Sequence, residues 1–142
     1  MDVMSVQEAE RILMEAGIQV DVPAGQKLTI TQGDVVRVNV AFEYRGPAQS
    51  VTLRCSIGTR IAGIFNESVY GTKSIALPQS SYLSFTNYVD IPTSGCSPSA
   101  DYDMEAKISE YTSATLFKLD NVIDVIGAVE FRNFAITGYD RV

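Results

Sequence analysis

The chain has 142 residues, a formal net charge of −6 and 46% apolar residues. One domain with a real core fits that length and composition, and the acidic balance with scattered Lys and Arg excludes phosphate-led nucleic-acid binding. The chain has no His, so imidazole acid–base catalysis, Ser-His-Asp and Cys-His nucleophiles and His-ligated zinc are excluded, though carboxylate and lysine chemistry are not.

The first residues, Met1-Asp2-Val3-Met4-Ser5, lack the basic and apolar regions of a secretory signal, and no run reaches the roughly 18 apolar residues of a membrane helix. Membrane insertion is therefore not expected. Ser5-Val6-Gln7-Glu8 reads as a capping box. Val6, Ala9, Ile12, Leu13 and Ala16 form an apolar stripe behind it, and Gly17 stops the helix. A helix of roughly three turns is marginal alone in water, so the stripe needs a surface, either the chain's own sandwich or a partner.

A first strand alternates Ile18, Val20 and Val22 with Gln19 and Asp21, is broken at Pro23-Ala24-Gly25, and resumes at Leu28 and Ile30. The clearest stretch follows. Val36, Val38, Val40, Phe42 and Tyr44 share one face, with Arg37, Asn39, Ala41, Glu43 and Arg45 on the other. After Gly46-Pro47-Ala48, Val51, Leu53, Cys55 and Ile57 repeat the device. A period of two with β-branched residues on one side predicts strands with one buried face.

Gly58 to Tyr70 has no readable period and predicts an irregular connection. Thr72–Leu77 is a short strand with Ile75 and Leu77 inward. Leu83, Phe85, Asn87, Val89 and Ile91 then share a face opposite Tyr82, Ser84, Thr86, Tyr88 and Asp90. The loop from Pro92 to Ala100 carries Cys96. Tyr102, Met104, Ala106 and Ile108 alternate cleanly after it, and Leu116 to Ile126 supplies the next strand. A last strand holds Val129, Phe131, Phe134 and Ile136. About seven to eight short strands with turn signals about every ten residues predict an antiparallel sandwich, with a barrel as the other closure. Val38, Val40, Leu53, Phe85, Met104 and Ile108 are the expected core.

Gly33-Asp34-Val35-Val36-Arg37-Val38-Asn39-Val40 resembles the second strand of immunoglobulin-like modules of the fibronectin type III and bacterial cell-adhesion-related kinds. The late strand from Ala100 to Ile108, with a Tyr following a Pro/Gly/Ser loop, is similar too, as is the order of Leu77-Pro78-Gln79-Ser80-Ser81, a strand and that late strand. The likeness covers Val20 to Ile126 and departs in having no core Trp and a helix in front. It implies adhesion, spacing or assembly and brings no catalytic residues. The expected organisation is a helix over residues 1–17, an immunoglobulin-like sandwich of seven to eight strands over 18–127, and a terminal strand or the start of a further repeat over 128–142.

Cys55 and Cys96 are the only cysteines. Either they form an intersheet disulfide, or Cys55 is a buried thiol and Cys96 a partly exposed one. Asp90, Asp101 and Asp103 at loop edges suit either calcium or solvent, and no metal or cofactor is assigned. The expected interaction surface is Ile12, Leu13, Tyr82, Tyr88, Phe131 and Phe134. The expected function is a non-enzymatic structural or assembly module, in a phage, a virion or a surface appendage, with a protein partner (itself or an adjacent domain). A carbohydrate-binding module is the rival reading, since exposed tyrosines can stack on sugars.

Overall fold

The structure, a computed structural model, describes residues 22–129 and 131–142. The expected helix, with Ile12 and Leu13, lies outside the described residues, as do Ile18 and Val20. Seven strands follow in chain order: β1 Leu28–Thr31, β2 Val35–Gly46, β3 Gln49–Ile61, β4 Ile64–Leu77, β5 Ser80–Pro92, β6 Ser99–Ile108 and β7 Phe117–Ile126. A 3-10 turn at Ser109–Tyr111 and a one-turn helix, α1 (Thr112–Thr115), join β6 to β7.

The strands form two sheets, one ordered β1-β7-β6-β3-β4 and the other β2-β5. All pairings are antiparallel except β1 with β7, where Leu28 faces Ile123 and Thr31 faces Ile126. The sheets pack through their apolar faces. From β3 come Val51, Leu53, Cys55 and Ile57, from β4 Ile75 and Leu77, from β5 Val89 and Ile91, all buried. Tyr102, Ile108, Ile123 and Val125 complete the cluster. The expected register holds in every one of these strands. Burial is less complete than expected in the small sheet: Val38, Val40 and Phe85 are half-buried, as is Met104, while Leu53 and Ile108 are buried. The cause is that β2 and β5 pair only with each other among the described residues, so the two-stranded ribbon cannot cover both edges of its partner sheet.

Residues 58–70 do not form an irregular connection. They are the two arms of a β3–β4 hairpin whose tip is Ala62-Gly63, with φ of 52° and 80°. Two successive left-handed residues make the tight turn that matches strand twist. Ala rather than Asn or Asp at the first position hides that turn in the sequence, and a register shift between Ile57 and Gly58 breaks the period just before it.

One side of the sandwich is closed by contact between β4 and β5. A Cβ on Gly71 would lie 2.5 Å from the carbonyl oxygen of Asp90 and 2.7 Å from a methyl of Val89, so only glycine lets the two backbones meet there. The loop after β5 is stitched to the β1–β2 turn. Thr93 is fully buried, its hydroxyl accepting from the Gly33 N–H and its own N–H donating to the Asp34 carbonyl. The Gln32 side-chain amide donates to the Cys96 carbonyl at 2.8 Å. This docking corrects the expectation for Cys96, which is fully buried. Both cysteines are free thiols. Burial pushes the Cys55 thiol up to about 11, so it stays protonated at neutral pH.

Candidate interaction surfaces

The Tyr of the late strand has a structural task. The Tyr102 hydroxyl donates to the Ser97 carbonyl at 2.6 Å, five residues upstream, while its ring is buried. This is the corner by which immunoglobulin-type sandwiches fix the loop entering a central strand. Asp103, next to it, is buried rather than solvated. Its carboxylate accepts from the backbone N–H of Arg60 at 3.0 Å and of Asn121 at 2.9 Å, tying β3, β6 and β7 together. Asp101 pairs with Lys27, and Asp90 with Arg37. The three aspartates weighed as calcium ligands are thus separated by their partners, and no metal-competent cluster of His, Cys, Asp or Glu occurs among the described residues.

The outer face of the large sheet carries a ladder of charge pairs. Arg54 donates to Glu67, lies 3.8 Å over the Tyr70 ring, and shares Glu67 with the Ser56 hydroxyl. Arg60 meets Glu105 and Asp120. Partial burial pushes the Glu67 carboxyl up, but its hydrogen bonds from Arg54 and Ser56 together hold it below the usual value of 4.5. Asp124 is held below 3.8, first by the Asp101 N–H and then by Lys27. A folded-state pKa below the unfolded one stabilises the fold above the unfolded value, and that contribution disappears as pH falls through the folded value. Thermal stability should therefore be flat between about pH 5 and neutrality and decline on acidification through and below the ordinary carboxylate range of 3.8–4.5. Glu67→Gln should lower stability at pH 7 by up to about 1 kcal/mol and give a shallower acid decline. Melting curves of both proteins from neutral to acid pH check this.

Of the expected surface tyrosines, Tyr82 is 66% and Tyr88 40% exposed. Tyr88 does not offer a bare ring. Arg37 of β2 lies 4.0 Å and Lys73 of β4 3.5 Å from its centroid, and Asn87 holds the Lys73 ammonium at 3.0 Å. Such cation–π packing fixes the ring against the sheet.

Phe131 and Phe134 behave differently. The described residues after Gly127 make no strand pairing with the other described residues. Val129, Phe131, Phe134, Ile136 and Tyr139 are between 76% and 95% exposed. Asn133 sits in the left-handed region at φ 54°. The described residues from Phe131 onward are assigned to no strand, and Val129, Phe131, Phe134 and Ile136 stand exposed outside both sheets. Full burial of four such side chains is worth roughly 6–12 kcal/mol gross. The cost of association is roughly 4–15 kcal/mol, so side chains alone give modest affinity and backbone pairing would have to add to it.

No protein-family model matches the chain, and no curated protein matches it. Among solved structures it is similar to the extracellular domain of the voltage-gated sodium channel beta4 subunit, described as a parallel homodimer with a role in cell–cell adhesion. That match has 11% sequence identity, covers 78% of this chain and 100% of that chain, and has a TM-score of 0.37. A likeness that loose says nothing about what this chain binds. Among the described residues no helix is long and apolar enough to cross a membrane.

Proposed function

We propose that the chain is an immunoglobulin-like sandwich serving as a non-enzymatic structural or assembly module, which meets a protein partner through its C-terminal segment. The observation that carries this reading is the run from Val129 to Tyr139, whose large apolar side chains are almost wholly exposed. Contiguous exposed apolar surface is costly in a monomer and marks interaction sites. The carboxylates support the non-enzymatic part: Glu67, Asp90, Asp103 and Asp124 are each engaged by a cation or a backbone N–H and serve as anchors rather than proton carriers. A phage or viral particle, or a surface appendage, is the setting that suits a small rigid module with an exposed apolar segment. Sugar binding is the weaker reading, because Arg37 and Lys73 already lie over the Tyr88 ring.

The test is light scattering of the intact chain and of the chain ending at Ala128. The described tail residues pair with none of the described strands, so removal of the tail should leave melting unchanged. Association of the intact chain that vanishes on truncation supports the reading. An intact chain that stays monomeric, with saturable binding to one sugar class on a glycan array, overturns it.

A further inference from the structure

We draw no further inference here: the strongest candidate, the apolar groove between β1, the start of β2 and β7, is lined in part by Val22, where the described chain begins, and nothing in the structure shows what covers it.

Discussion

Leu53→Ala should destabilise the protein by about 2–5 kcal/mol. Leu53 is 1% exposed at the centre of β3, the strand flanked by β4 on one side and β6 on the other. Its backbone faces Lys73 and Ile108, and its side chain enters the layer between the sheets. Strands hydrogen-bonded on both sides cannot shift to fill a void, so the cavity term adds to the lost transfer energy. For a chain of this length the fall in melting temperature should be about 3–4 °C per kcal/mol. Phe85→Ala should cost less despite the larger side chain, because the Phe85 ring is half-buried and stacks on Phe42 at 5.4 Å where the ribbon is open. Thermal unfolding of both variants checks the order as well as the size. Equal losses would mean that the small sheet is covered as completely as the large one.

Gly58→Ala should be comparably severe, at about 3 kcal/mol or more. A Cβ at Gly58 would stand 2.1 Å from the carbonyl oxygen of Asn66 and 2.9 Å from its carbon. Those atoms belong to the backbone of the paired strand, so no side-chain rotation relieves the clash. The position is where the β3–β4 register shifts, and Gly58 also faces Asp103 across β6. Moving β4 outward would disturb the Arg54–Glu67 pair just beyond, whereas Gly63→Ala at the hairpin tip meets no atom within 4 Å and carries only the strain of its φ of 80°. Denaturant unfolding should therefore rank Gly58→Ala well below Gly63→Ala, and the reverse ranking would contradict the close approach of β3 and β4.

The strand faces were legible because alternation of period two survives wherever one face is buried. Val36 to Tyr44, Val51 to Ile57 and Tyr102 to Ile108 each keep it over several residues. It failed between Gly58 and Tyr70, where both faces of the hairpin arms are largely exposed and the pattern has no core to obey. The depth of Cys96 was hidden for a different reason. Its burial comes from Gln32, 64 residues away in the sequence, and from Thr93 of the same loop, whose bonds to the β1–β2 turn hold that polar loop over the core. Tyr102 was noticed for its place after the loop, but its bond to Ser97 is a matter of three-dimensional reach. Of the surface residues, Phe131 and Phe134 stand out as exposed in both sequence and structure. Tyr88 read as an outward tyrosine, either a partner surface or cover for the sandwich rim, because sequence cannot show Arg37 and Lys73 converging on it from two other strands.

Multi-angle light scattering of the intact chain across a concentration series, beside the chain ending at Ala128, tests the assembly role most directly. The expected result is a mass that rises with concentration for the intact chain and stays at one copy for the shorter one, with identical melting temperatures. An intact chain that remains a single copy at the highest concentration reached would contradict it.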